Sequence, residues 1–199
     1  RQRQMCIRDR IYIVVGYLKE QFSEVLKEYQ GITLIENPYY ATCNNISSLY
    51  VARKYLENAI ILDGDQIICN ERILISEFCR SGYNSVWTFE ETDEWLQTVK
   101  DGIVTACSRV GGGCGWQLYS ISRWTAEDGR KLKKHLELEF EQKHNTQIYW
   151  DDIVMFCHSQ EYQLGIFEMQ PDDVIEIDSL EELISLDNGY EKYREKELT

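Results

Sequence analysis

Two acidic motifs and two groups of aromatic residues beside carboxylates are the parts of this chain equipped for chemistry. The first motif is Asp63-Gly64-Asp65, which follows the apolar run Ile60, Ile61, Leu62. An unbroken apolar run suits a strand buried on both faces of a sheet. Carboxylates on a glycine turn at the carboxyl end of such a strand stand where open α/β sheets bind ligands. Asp63 and Asp65 would there offer oxygen donors to Mg²⁺, a hard cation that also takes substrate phosphate. The second motif is Ile175-Glu176-Ile177-Asp178-Ser179. Asp178 also ends a strand, and neighbouring strand ends would let Asp65 and Asp178 share one ion. The plain alternatives are a polar turn at 63–65 and a capping role for Asp178 at the last helix.

The aromatic groups are Trp95, preceded by Asp93 and Glu94, and Tyr149-Trp150, followed by Asp151 and Asp152. A quaternary ammonium has no N–H to donate, so ring faces and nearby negative charge are what hold it. The alternative for each tryptophan is an ordinary core position. Other chemistry-bearing residues read as inert. Gly111-Gly112-Gly113-Cys114-Gly115 lacks the Lys-Ser/Thr of a phosphate-binding loop and reads as a mobile loop. His135, His144 and His158 have no ligand spacing, and the first two are expected to be solvated on a charged helix. The cysteines sit mainly in apolar or loop contexts, so thiol catalysis is not expected.

The elements that must position these residues alternate. Ile11 to Val15 reads as a buried strand ended by Gly16. Leu18, Phe22, Val25, Leu26 and Tyr29 recur at helical spacing and predict an amphipathic helix over 18–29. Gly31 suits its end, and Ile32 to Ile35 reads as a second strand. After the Asn37-Pro38 break and a polar loop, Asn44 or Asn45 is expected to cap a helix over 46–57. The strand at 60–62 follows. Strand, helix, strand, helix, strand implies a parallel sheet with crossovers. Further on, the pattern predicts a helix over 71–80, a strand over 85–89 and a hairpin of 95–99 with 103–108. A strand at 116–121, a helix from Thr125 to about His144 and a short helix at 152–158 come next. Strands at 164–169 and 174–177 follow, then a last helix with Ser179 and Glu182 at capping-box spacing. The charged tail from Gly189 is expected to fray. With no repeat and no linker, residues 11–188 read as one α/β domain of mixed, mainly parallel sheet flanked by helices.

The chain has 199 residues, enough for one domain with a real core. Its net charge of −13 argues against a nucleic-acid or anionic-membrane surface. A small phosphorylated substrate remains compatible, because Mg²⁺ carries the local positive charge. Seven cysteines, none at C-x-x-C spacing, argue against a disulfide framework or zinc site and for a reducing cytoplasm. Residues 1–10 hold four arginines in an otherwise acidic chain and read as a foreign junction.

Six stretches together resemble a known family. They are 15–22 (V-G-Y-L-K-E-Q-F), 37–50 (N-P-Y-Y-A-T-C-N-N-I-S-S-L-Y), 61–65 (I-L-D-G-D), 93–96 (D-E-W-L), 148–152 (I-Y-W-D-D) and 175–179 (I-E-I-D-S). In this order, over roughly residues 11–187, they resemble the bacterial CTP:phosphocholine cytidylyltransferases of the sugar-nucleotidyltransferase-like superfamily. The resemblance implies a Rossmann-like fold and Mg-dependent transfer of CMP from CTP to phosphocholine, giving CDP-choline and pyrophosphate. It implies Asp65 and Asp178 as the catalytic, Mg²⁺-holding pair. It places Asn44, Asn45 and Asp63 at the nucleotide, and Trp95, Tyr149, Trp150, Asp151 and Glu176 around the choline head. Such a transfer needs in-line positioning and charge neutralisation rather than a covalent nucleophile.

One departure stands against the resemblance. The family begins with a strand and a basic, glycine-rich loop that cradles the triphosphate, and residues 1–10 do not match it. The expectation is therefore a chain lacking that part, with an exposed sheet edge. Two other functions stay open: transfer to another head group, such as 2-aminoethylphosphonate or a sugar 1-phosphate, and a catalytically inactive binding domain.

Overall fold

Apolar strand residues and well-formed caps set the elements of the chain. The computed structural model describes residues 10–196. Residues 1–9, most of the suspected junction, lie outside the described residues. The described chain packs as two compact units, each built from two separate stretches.

The first unit combines residues up to 59 with residues 124–162. In it β1 (Ile11–Val15) pairs in parallel with β2 (Ile32–Glu36), Ile11 opposite Ile32. The helix expected over 18–29 is shorter. Leu18 takes a left-handed backbone at φ 54°, a 3-10 turn follows at Lys19–Gln21, and α1 spans only Phe22–Glu28. Leu26 in this helix and Tyr29 just past its end are exposed rather than buried. Gly31, at φ 90°, supplies the left-handed step before β2.

The helix expected over 46–57 is α2 (Ile46–Ala52), tightened into a 3-10 turn at Arg53–Tyr55. Thr125 caps α3 (Ala126–Glu137), its Oγ accepting the Asp128 N–H at 3.2 Å. The predicted continuation to His144 instead widens into a π-helical turn at Leu138–Gln142. α2 and α3 pack together, and α3 also meets a second π-helical turn at Ile153–Cys157. The core here holds Ile46, Leu49, Trp124, Leu132, Leu136, Trp150 and Ile153.

The second unit combines residues 60–123 with the rest from 163. Its strands are β3 (Ala59–Ile61, beginning one residue earlier), β4 (Gln66–Ile68), β5 (Gly82–Thr88), β6 (Leu96–Lys100) and β7 (Ile103–Ser108). They continue with β8 (Gly115–Trp124), β9 (Gly165–Glu168) and β10 (Val174–Glu176). Six of them form a sheet in the order β7-β6-β8-β5-β9, with β3 also on β8. β4 and β10 form a separate antiparallel pair.

The expected mixed sheet is present, but it is not mainly parallel. Pairing is parallel at β1–β2 and β5–β9, and antiparallel at β5–β8, β6–β7, β6–β8 and β4–β10. The alternating pattern grouped β3 with β1 and β2; among the described residues its partner is β8. β3 is also half-buried rather than fully buried, and Leu62 is exposed.

The hairpin turn is Asp101-Gly102, both at positive φ (52° and 76°), the twist-matched geometry of a two-residue loop. The helix expected over 71–80 shrinks to a 3-10 turn at Glu71–Leu74, capped by Asn70. Ser179 and Glu182 form the expected capping box at the head of α4 (Leu180–Leu186). The tail does not fray at once but continues as a 3-10 helix at Asn188–Lys196. Ile73, Val86, Ile121, Met169 and Val174 form the core of this unit. Among the described residues, no helix is long and apolar enough to cross a membrane.

Gly129 shows how close the packing is in the first unit. A Cβ added there would overlap the backbone carbonyl of Leu56. Glycine-to-alanine inside a helix normally stabilises by about 1 kcal/mol. Here the sign should reverse: Gly129→Ala is expected to lower the unfolding free energy by about 1–3 kcal/mol. Urea denaturation measures it, and an unchanged or raised midpoint would show that the contact yields.

Candidate active site

The chain turns from β3 into β4 through Leu62-Asp63-Gly64-Asp65. β4 then runs antiparallel to β10, with Gln66 opposite Glu176 and Ile68 opposite Val174. The ladder extends past the paired strands, because the Ile177 N–H donates to the Asp65 carbonyl at 2.9 Å. Asp65 and Ile177 are therefore hydrogen-bonded neighbours, and Asp178 follows directly. Gln66 Nε2 donates to Glu176 Oε1 at 3.1 Å and fixes that carboxylate beside the turn.

The electrostatics are one-sided. Burial pushes the Glu176 carboxyl above its usual range; the Gln66 hydrogen bond opposes this, and the charges of Asp65, Glu94 and Asp178 add to it. Burial likewise pushes Asp63 up, against a hydrogen bond from Ser120 and with the charge of Asp65. Asp63, Asp65, Glu94, Glu176 and Asp178 thus belong to one acidic region of the second unit. Its donors are oxygens and its charge is negative, which fits a hard divalent cation such as Mg²⁺. Sequence reading missed Glu94 as part of this region, and Gln66 and Ser120 as its hydrogen-bond donors. Glu94 was visible only as a neighbour of Trp95, and β4 is too short to stand out by period.

Trp95 lies in the same unit. It is half-buried, and its carbonyl accepts the Leu118 N–H at 2.8 Å. The Arg109 guanidinium carbon lies 5.8 Å from its ring centre, so this ring already attracts a cation.

The remaining predicted residues belong to the first unit. Tyr149 is 51% exposed, whereas Trp150 is only 3% exposed and meets Trp124 edge-on at 6.1 Å. Asp151 and Asp152 are buried, and Asp152 accepts the Tyr149 N–H at 2.9 Å. Asn45 does precede α2, but its side chain does not cap it. Its Oδ1 accepts the Trp150 N–H at 2.9 Å instead. Asn44 Nδ2 donates to the Gln147 carbonyl at 3.2 Å, and the Asn44 N–H to that of Thr146 at 2.8 Å. The two asparagines lace the 42–45 loop to the 146–150 segment.

His135 corrects another expectation. Its side chain is buried, not solvated, and stacks on His158 at 3.8 Å. Charged neighbours along α3 hid that face. His144 is exposed, as expected.

The fold is the α/β nucleotidyltransferase fold. A solved structure of the CTP:phosphocholine cytidylyltransferase of Streptococcus pneumoniae matches with a TM-score of 0.80 at 29% identity, over 90% of this chain and 77% of that one. No family model matches the chain. In sequence, the chain is 32% identical over 184 residues to a 2-aminoethylphosphonate cytidylyltransferase of Lancefieldella rimae, covering 92% of this chain and 74% of the relative. It is 30% identical over 177 residues to the choline-phosphate cytidylyltransferase of Streptococcus pneumoniae, covering 89% and 76%. The chain belongs to this family of bacterial cytidylyltransferases, and it is a nucleotidyltransferase.

The exposures of Tyr149 and Trp150 separate their roles in stability. Trp150→Ala is expected to cost about 3–5 kcal/mol of unfolding free energy, as for other buried tryptophans. Tyr149→Ala should cost well under half of that. Denaturant titration of both variants checks the order, and equal costs would overturn it.

Proposed function

We propose that this nucleotidyltransferase moves CMP from CTP to phosphocholine. A phosphate oxygen of phosphocholine attacks the α-phosphorus of CTP. The bond from that phosphorus to the bridging oxygen breaks, and pyrophosphate leaves with the electron pair. Asp65 and Asp178 are the residues to hold Mg²⁺, with Asp63 beside them. Bound there, the ion would supply charge neutralisation at the phosphate oxygens.

The observation that carries this reading is the β4–β10 ladder. It seats two distant acidic motifs together by backbone bonds, so their placement does not depend on flexible side chains. Gln66 holds Glu176 in place, and Glu176, Glu94 and Trp95 supply negative charge and a ring face suited to an organic cation.

A second reading, transfer to 2-aminoethylphosphonate, is favoured by the Lancefieldella relative and by these same acids. Glu94 and Glu176 are able to accept N–H bonds from a primary ammonium, which choline cannot donate.

Pyrophosphate release from CTP, with each acceptor in turn, tests both readings. Phosphocholine is expected to give the higher kcat/KM; preference for the primary amine would transfer the assignment to the second. Asp65→Asn and Asp178→Asn should each cut turnover about 10³-fold or more, since several kcal/mol of charge stabilisation are lost. Retained turnover would refute the metal role. Trp95→Ala should raise the KM for phosphocholine about tenfold, the worth of one ring–cation contact, and leave that for CTP near its original value.

A further inference from the structure

We propose that His135, His158 and Glu161 form a site for one divalent transition-metal ion of the zinc class. The proposal is independent of the transfer reaction, and every residue in it belongs to the first unit.

The ligand atoms come from three successive structures. His135 is in the last turn of α3, His158 follows the π-helical turn at Ile153–Cys157, and Glu161 ends a 3-10 turn at Ser159–Glu161. One ligand atom from each lies within 4.8 Å of the other two. His135 Nε2 is 3.3 Å from Glu161 Oε2, and His158 Nδ1 is 3.3 Å from Glu161 Oε1. A tetrahedral ion with ligand bonds of about 2.0 Å sets its ligands about 3.3 Å apart. The carboxylate therefore already sits at ligand spacing from each ring.

The outer nitrogens are also held. His158 Nε2 donates to Glu139 Oε1 at 2.8 Å, and the Glu139 side chain is fully buried. Glu139 is itself gripped by Lys143 at 2.7 Å and by Asn145 at 2.5 Å. His135 Nδ1 meets the buried Tyr162 hydroxyl at 2.7 Å. Partners of this kind set the tautomer of metal-binding histidines and leave the inner nitrogen of each ring as the ligand.

With its Nε2 proton on Glu139, a neutral His158 turns its Nδ1 lone pair toward Glu161, the side on which the ion would sit. The rings stack at 3.8 Å with planes 4° apart. A divalent ion serves both neutral rings and the carboxylate together. Capture turns each ring about its Cβ–Cγ bond to aim its lone pair at the ion, and the stack opens. The Glu161 side chain is 55% exposed, so solvent reaches the remaining position and water completes the shell. The ion acts as a staple between α3 and the 153–161 segment.

The whole chain, stripped with chelator, is titrated with Co²⁺ and then Zn²⁺. One equivalent of Co²⁺ should bind with the visible bands of a four-coordinate nitrogen–oxygen site. Zn²⁺ should displace it and raise the melting temperature. Glu161→Gln alters an exposed side chain and keeps its shape, so it should fold like the parent and bind at least tenfold more weakly. His158→Gln should do the same. Absence of stoichiometric binding, a thiolate-to-cobalt charge-transfer band, or a loss below tenfold in Glu161→Gln would each overturn the site.

Discussion

The acidic region depends on a backbone ladder three residues long. β4 and β10 are each only three residues, yet their antiparallel register sets Gln66 against Glu176, and the bond from Ile177 to Asp65 extends it by one rung. Carboxylates repel when gathered, and the upward push on Asp63 and Glu176 records that strain alongside burial. Side chains alone would not assemble such a group. The hydrogen bonds between peptide groups are indifferent to charge, and they hold the acids where side-chain forces would disperse them.

The first unit solves a different problem. Its loops at 42–45 and 146–150 carry polar backbone that needs partners. Asn44, Asn45 and Gln147 provide them, and the edge-on contact of Trp124 with Trp150 closes the apolar side. Asn45 gives up its capping role in this exchange. The buried start of α2 is met by backbone instead, the Ser47 N–H donating to the Asn44 carbonyl at 3.0 Å and the Ser48 N–H to that of Asn45 at 2.9 Å.

Much of this was legible in the sequence where the signal is local. The strand runs at 11–15 and 32–35, the Asp101-Gly102 turn, the Thr125 cap and the Ser179–Glu182 box all depend on neighbours within a few residues. So did the family, because its motifs are short and ordered. What escaped depends on distant partners. The stretch at 71–80 looks helical by period, yet Asn70 caps a short turn and ties to Asp173 at 2.7 Å. β3 reads as a neighbour of β1 and β2, but sheet membership is decided by β8, far along the chain. His135 has charged neighbours in sequence and a stacked ring in space. The three-residue β4 has too few positions to show alternation, so its Gln66 stayed out of sight.

The backbone passes between the two units three times, after residues 59, 123 and 162. Neither unit exists as one contiguous stretch. The first closes only when residues beyond 124 have been made, and the second waits for β9 and β10 near the far end. A growing chain can pair β1 with β2 early, but it must carry β3 until β8 has been made and β4 until β10 has been made. Cutting the gene at any single point would split at least one unit, so the halves have to be born together.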